Sequence, residues 1–387
     1  MIRPDYHGGS IVNLMASLGR SLGADAAPYA PLATLPPDAL GSARNVVLLV
    51  LDGLGAGFLE RAGPGGALHT HRHGTMTSVF PPTTATAITA FMTGVAPRQH
   101  GLTGWFTYLK ETAGVIAVLP YRARHGGGTL REGGVDPAQL FSARPFADTL
   151  AVKCFAVSPK EIAHSDFNTY HAGRSELCPY EGVAGLFAAI EAVVKSGGDA
   201  RQYVYAYYPG LDSLAHVFGI SSPRVGALFS RIDDAFGAFL KKIAGTDTTV
   251  VVSADHGFVD VAPGRTVELD DHPRFAQTLV LPLCGEPRLA YCYVHPDRRE
   301  AFESYVGNEL ADCATLLPSA DLLAGDWFGL GPAHPRLAER VGHYALVMKD
   351  GWAVKDWVLG ERRHVHIGCH GGVTADEMYV PLIVARA

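Results

Sequence analysis

"NVVLLVLDGLG", residues 45–55, is the stretch whose reading decides the fold. A strand with one face in water alternates apolar and polar residues. Residues 46–51 do not alternate, which predicts a strand buried on both faces, as in a parallel sheet. The run ends on Asp52-Gly53, so an acid stands at its carboxyl end. "QYVYAYYPG" (202–210) and "TTVVVSADHG" (248–257) repeat the form: an apolar run, then a polar cluster. Between these two, Val225, Leu228, Phe229, Ile232, Phe236, Phe239, Leu240 and Ile243 recur at three- and four-residue steps. Ser222-Pro223 opens that segment and Gly245 closes it, the pattern of an amphipathic helix. Strands alternating with helices predict an α/β protein with a mostly parallel sheet covered on both faces. Ligands of such sheets sit at the carboxyl ends of the strands.

Further along, the character changes. Residues 266–364 are rich in Pro and Gly, with short strand candidates in "RLAYCYV" (288–294) and "HYALVMKDGWAV" (343–354). They are expected to form an inserted α+β subdomain, with 1–265 and 365–387 as the core. "MYVPLIVARA" (378–387) reads as a final core strand, "HGGGTLREGG" (125–134) as a flexible loop, and residues 26–42 as a surface arm. A chain of 387 residues, 48% hydrophobic and 18% charged, can bury a sizeable core. Its net charge of −6 gives no basic field for nucleic acid or an anionic membrane. No apolar run is long enough to span a bilayer. The opening residues lack the pattern of a secretory signal, so a cytoplasmic location is expected. Cys154, Cys178, Cys284, Cys292, Cys313 and Cys369 are scattered without a CxxC pair and read as reduced thiols.

Carboxylates and imidazoles fall at telling places. Asp52 follows the first strand, Asp212 and His216 form a D-x-x-x-H pair in "PGLDSLAHVFG", Asp255-His256 sits in "SADHGF", and His370 in "GCHGGV". An i, i+4 pair lies on one helix face, so both side chains can reach one ion. Taken singly, each has a bland explanation as a turn or a solvated helix. Together, three Asp and three His without Cys favour a divalent ion: zinc first, then manganese, iron or cobalt. Six donors are too many for one tetrahedral ion and suit two, about 4 Å apart, able to clamp the entering and leaving oxygens of a displacement at phosphorus.

A second motif is "TTATAITAFMTG" (83–94), a helix of small residues with hydroxyls at its start. Thr83, Thr84, Thr86 and Thr89 either cap and bond back to the helix, or one of them is a nucleophile. A helix N-terminus favours an anion there.

In this ordered set the sequence resembles the alkaline phosphatase superfamily, and within it the type I phosphodiesterase/nucleotide pyrophosphatase family. The resemblance runs from about residue 45 to the C-terminus, on "LDGLG", the Thr-rich helix ending in "TG", "APRQHG", "DSLAH", "SADHG" and "HGG". It implies an alkaline-phosphatase-like three-layer core with the inserted subdomain. Counting back from Thr93-Gly94, it places the nucleophile at Thr84, with Thr83 as the rival. It further implies one zinc on Asp52, Asp255 and His256, its shell completed by Thr84, and a second on Asp212, His216 and His370. The expected activity is hydrolysis of a phosphodiester or phosphoanhydride through a threonine-phosphoryl intermediate, on a small phosphoester substrate, nucleotides included. Phosphomonoesterase, phosphonate hydrolase and a non-catalytic zinc-binding protein remain the alternatives. No sulfatase-type C/S-x-P-x-R setting surrounds Thr84. One departure stands out: where the family's nucleotide pyrophosphatases carry an Asn that donates to a phosphoryl oxygen, this chain has Trp105. Its ring could stack on a leaving group or pack in the core. With Phe106 and Tyr108 it offers an apolar wall, and Arg98, Lys110 or Arg174 are the cations that could approach. His164, Asp166, His171 and Arg174 are candidates for the substrate mouth, and "HTHRHG" (69–74) for a surface loop.

Overall fold

The computed structural model describes residues 1–25, 28–41, 43–196, 198 and 200–387. Its centre is a seven-stranded sheet in the order Arg72–Thr77, Tyr379–Arg386, Thr248–Ser253, Asn45–Leu51, Gln202–Tyr208, Lys153–Pro159, Glu176–Tyr180. The five strands from Thr248–Ser253 to Glu176–Tyr180 run parallel. Tyr379–Arg386 is antiparallel to both of its neighbours. Every residue of Asn45–Leu51, Gln202–Tyr208 and Thr248–Ser253 is buried, as their unbroken apolar runs require. The amphipathic segment is the helix Pro223–Lys242, opened by Ser222, whose Oγ accepts from Arg224 N at 3.2 Å. Val225, Phe229, Ile232, Phe236 and Phe239 form its buried stripe.

A second sheet, antiparallel throughout, also has seven strands: Ala314–Pro318, Tyr344–Met348, Leu289–Cys292, Cys284–Glu286, Phe106–Leu109, Gly114–Ala117 and Arg122–Ala123. The subdomain boundary expected at 266–364 is therefore too narrow. Three strands come from residues 106–123, upstream of the whole stretch. The two segments join through Phe106 and Gly285, which pair across the strands. A Cβ on Gly104 would stand 2.6 Å from the Gly285 Cα, so the joint needs glycine on both sides. Short-range patterning could not show this, because the pairing partner lies far along the chain.

The arm expected at 26–42 is not free over its described part. Tyr29, Leu32, Leu35 and Leu40 are buried in the main core, and residues 26, 27 and 42 lie outside the described residues. The six cysteines are unpaired. Among the described residues no helix is long and apolar enough to cross a membrane.

The two sheets are clasped by a buried ion pair. Arg288, beside the joint, donates to both oxygens of Glu377 at 3.0 and 3.1 Å, with both side chains fully buried. Glu377 also accepts from Gly372 N at 2.8 Å and Thr374 Oγ1 at 2.7 Å, which fixes the turn just after His370. Removing one partner of such a pair leaves an uncompensated buried charge. Arg288→Met is therefore expected to lower unfolding stability by about 3–5 kcal/mol, measured by urea titration. A loss below about 1 kcal/mol would show that the clasp is not structural.

Candidate active site

Three adjacent parallel strands deliver three carboxylates to one place. Leu51 is in register with Tyr208, and Val50 with Ser253. Asp52 follows the middle strand directly. Asp255 follows Thr248–Ser253 after a single Ala, and Asp212 sits on the helix Gly210–Phe218 that follows Gln202–Tyr208. Gly53 makes the first turn possible: its φ is +78°, and a Cβ there would stand 2.6 Å from the Phe258 ring.

The six predicted donors fall into the two expected sets. Asp52, Asp255 and His256 form one cluster, and Asp212, His216 and His370 the other, each with its donor atoms within 4.8 Å of one another. In the first, His256 Nε2 lies 3.4 Å from Asp52 Oδ1 and 3.3 Å from Asp255 Oδ2. In the second, Asp212 Oδ1 lies 3.3 Å from His216 Nε2 and 3.7 Å from His370 Nε2. The rings of His256 and His370 stack with centroids 3.7 Å apart, which joins the clusters.

Four of the six donors are held by their far atoms. Tyr207 donates its hydroxyl to Asp52 Oδ2. Asp255 Oδ1 accepts from the N–H groups of Gly53 and His256, both at 3.0 Å. His216 Nδ1 faces the Gly368 carbonyl at 2.9 Å, and His256 Nδ1 the Gly257 carbonyl at 3.1 Å. A carbonyl can only accept, so these contacts put a ring proton on Nδ1 and turn Nε2 toward the cluster. The near oxygens, Asp52 Oδ1, Asp212 Oδ1 and Asp255 Oδ2, are buried without a hydrogen-bond partner. A native protein rarely leaves buried carboxylate oxygens unsatisfied. Burial, then the charges of Asp255 and Asp212, pushes the Asp52 carboxyl well above the usual carboxylate range. Burial also raises Asp212, but the His216 charge and hydrogen bond outweigh it, and its pKa falls. Burial followed by the neighbouring His256 and His216 drives His370 far down, so it is a neutral imidazole. Orphaned oxygens, mutually repelling acids and imidazole Nε2 atoms turned toward them are the environment that a divalent cation satisfies.

The helix Thr84–Thr93 is buried along its whole length. Its hydroxyls allow this because most are used internally: Thr86 donates to Pro81 O, Thr89 to Ala85 O and Thr93 to Thr89 O, at 2.6, 2.7 and 2.6 Å. Thr83 is the N-cap and donates instead to Glu286 Oε1 at 2.5 Å. Thr84 differs, with its Oγ1 3.2 Å from His256 Nε2.

Thr84, Asp212, His216 and His370 open into a cavity of about 360 Å³ walled by the second sheet. Trp105 and Phe106 line it, while Tyr108 packs on Tyr293 at 5.4 Å and lies outside the lining. The Trp105 backbone N–H donates to Glu286 Oε1 at 2.7 Å. None of Arg98, Lys110 or Arg174 lines this cavity. Arg98 bonds the Gly331 and Leu323 carbonyls, Lys110 pairs with Glu339, and Arg174 ties down the Ala147, Leu150 and Val152 carbonyls. His164, Asp166 and His171 are not in the lining either; Asp166 pairs with Arg131 and His171 is buried. Sequence reading missed Tyr207, Glu286, Arg124 and Lys355, all of which hold or line the site. Tyr207 was reachable, since residues 205, 207 and 208 are all Tyr at the end of a buried strand, where a phenol needs an acceptor.

Fold and site together define a hydrolase of the alkaline phosphatase superfamily. The family model for type I phosphodiesterase / nucleotide pyrophosphatase matches residues 46–372, and the chain belongs to that family, whose members hydrolyse phosphoesters. No curated protein sequence matches the chain. Among solved structures, murine ectonucleotide pyrophosphatase/phosphodiesterase 5 superposes with a TM-score of 0.65 at 16% identity, covering 87% of each chain. An inactive Thr-to-Ala variant of that murine protein, in complex with AMP, gives 0.64 at 17% over 87% of each. Phosphonoacetate hydrolase from Sinorhizobium meliloti 1021, in complex with phosphonoformate, gives 0.59 at 16%, covering 88% of this chain and 90% of that one. At such identities these likenesses establish the fold.

Tyr207 holds the outer oxygen of Asp52, so its loss acts through the inner one. Tyr207→Phe is expected to leave the fold intact and to weaken whatever divalent-ion binding the cluster has about 10–100-fold, read by titration against a competing chelator. Unchanged affinity would remove Tyr207 from the support of this cluster.

Proposed function

We propose that the chain hydrolyses phosphodiester or phosphoanhydride bonds with Thr84 as nucleophile. The observation that carries this is the Thr84 hydroxyl, alone among those of its helix in meeting the donor clusters. Asp52, Asp255 and His256, joined by Thr84, would hold one divalent ion, and Asp212, His216 and His370 another. Zinc suits this Asp and His donor set best. Bound there, such ions supply Lewis-acid neutralisation of charge developing on oxygen. The inactive Thr-to-Ala variant among the structural neighbours is consistent with a threonine nucleophile on this scaffold.

The chain's own groups do the rest. Thr84 is the first residue of its helix, so the backbone N–H groups of Thr84, Ala85 and Thr86 have no carbonyl a turn earlier to bond. They and the positive end of the helix dipole face a phosphoryl anion at Thr84. The Thr84 Oγ1 gives up its proton and forms the new bond to phosphorus as the P–O bond to the leaving group breaks on the opposite side, and the departing oxygen takes up a proton. Water then attacks the phosphorus and breaks the Thr84 Oγ1–P bond, one of its protons restoring the Thr84 hydroxyl. Thr83 keeps its hydroxyl on Glu286 and takes no part in bond formation. Trp105 and Phe106 present an apolar wall to a second substituent of the substrate.

Thr84→Ala is expected to fold and keep most of its metal binding, yet to lose on the order of 10³ or more in kcat. Thr83→Ala should cost far less. Equal losses in the two variants, or a phosphoryl group trapped on Thr83 in a rapid acid quench, would transfer the role to Thr83. On substrate class, bis-p-nitrophenyl phosphate should show a higher kcat/KM than p-nitrophenyl phosphate at one pH with zinc present. A monoester has no second substituent for the apolar wall. The reverse order would replace the diesterase reading with a phosphomonoesterase.

A further inference from the structure

We propose that Lys355 is an anion-binding subsite of this pocket, so that the substrate carries a carboxylate or a second phosphate beyond the phosphorus attacked by Thr84. The proposal rests on the reading of Thr84 and the two donor clusters given above, and adds a substrate class to it.

The cavity has two Lys or Arg residues in its lining, Arg124 and Lys355. Arg124 is spent. Its guanidinium, 3% exposed, pairs with Asp356 at 2.7 Å and Glu361 at 3.1 Å, donates to the Leu283 carbonyl, and covers the Phe106 ring. Lys355 is not. It ends the short strand Ala353–Lys355, in register with Glu268 of Thr266–Glu268, which fixes its backbone in the cavity wall. Its side chain is half-buried. Among the described residues its ammonium has no hydrogen bond and no carboxylate within 4.0 Å; its neighbour is the Trp357 ring, 4.8 Å from Nζ. The charged groups around it are Glu361, Arg124, Asp356 and Glu286. Burial lowers its pKa, and these acids do not restore it. An ammonium taken partly out of water without a partner is costly, unless a ligand brings the counter-charge.

A substrate that filled the pocket with neutral groups alone would bury this ammonium further and leave it unpaired. One with an anionic group beyond the reacting phosphorus would pair it by a charge-assisted hydrogen bond. Carboxylate and phosphate share that chemistry, and the two are separable by experiment.

The test uses the zinc-loaded full chain as wild type, Lys355→Met and Lys355→Arg, with binding read by calorimetry. Phosphonoacetate against phosphonoacetamide isolates a carboxylate of nearly constant shape. Methylenediphosphonate against methylphosphonate isolates a second phosphoryl group. Wild type should prefer the anionic member of at least one pair by about tenfold or more, and that pair names the group. Lys355→Met should abolish the preference while binding the neutral member as wild type does, and Lys355→Arg should keep most of it. An unchanged ratio in Lys355→Met, or equal loss for both members of a pair, overturns the subsite alone. No binding of any of the four probes to wild type would overturn the reading of the whole site, and the subsite with it.

Discussion

The structure turns on three carboxylates held together in a buried place. Asp52, Asp212 and Asp255 end up side by side because the strands that precede them are adjacent, parallel and in register. Left alone they repel, and burial magnifies the repulsion. Asp52 shows it, its carboxyl driven well above the ordinary range. Much of the surrounding geometry manages that cost. Tyr207, two backbone N–H groups and two backbone carbonyls each take the outward atom of a donor and leave the inward one facing its neighbours. A cluster kept short of partners in this way spends stability on binding.

The second sheet turns a charged cluster into a pocket. It brings Trp105, Phe106, Glu286 and Arg124 into the cavity that Thr84 lines, and the short strand Ala353–Lys355 adds Lys355 from a separate two-stranded sheet. It is seated by the Arg288–Glu377 pair, one of whose partners also fixes the turn after His370. Shape of the pocket and position of the last donor are therefore coupled through a single carboxylate. A buried bidentate ion pair specifies one arrangement sharply, because any displacement exposes an unpaired charge to a low dielectric.

The buried Thr-rich helix illustrates how one residue is set apart by local rules. Thr86, Thr89 and Thr93 satisfy their hydroxyls on backbone carbonyls within a turn or so, and Thr83 reaches across to Glu286. Thr84 is the first helical residue, where the side chain projects beyond the end of the helix rather than along it. The same sequence of small, hydroxylated residues thus yields four anchored hydroxyls and one that meets the donors.

The resemblance to the family divided the candidate donors into two sets. The sequence by itself determined the parallel sheet, the long amphipathic helix and the six candidate donors. Each rests on a short-range signal: an unbroken apolar run, a helical period, or a polar cluster directly after a strand. Thr84 was singled out there too, with the resemblance to the family choosing it over Thr83. What only the tertiary structure decided lies across long chain separations. Phe106 pairs with Gly285, Tyr207 reaches Asp52, Arg288 reaches Glu377, and Lys355 lines the same cavity as Thr84. It also showed that Arg98, Lys110 and Arg174 are committed elsewhere. Side-chain direction and the pairing of distant strands are set by global packing, which no local period encodes. The donors and the Trp105–Phe106 part of the wall were therefore legible in the sequence, while Glu286, Arg124 and Lys355 in the same wall were not.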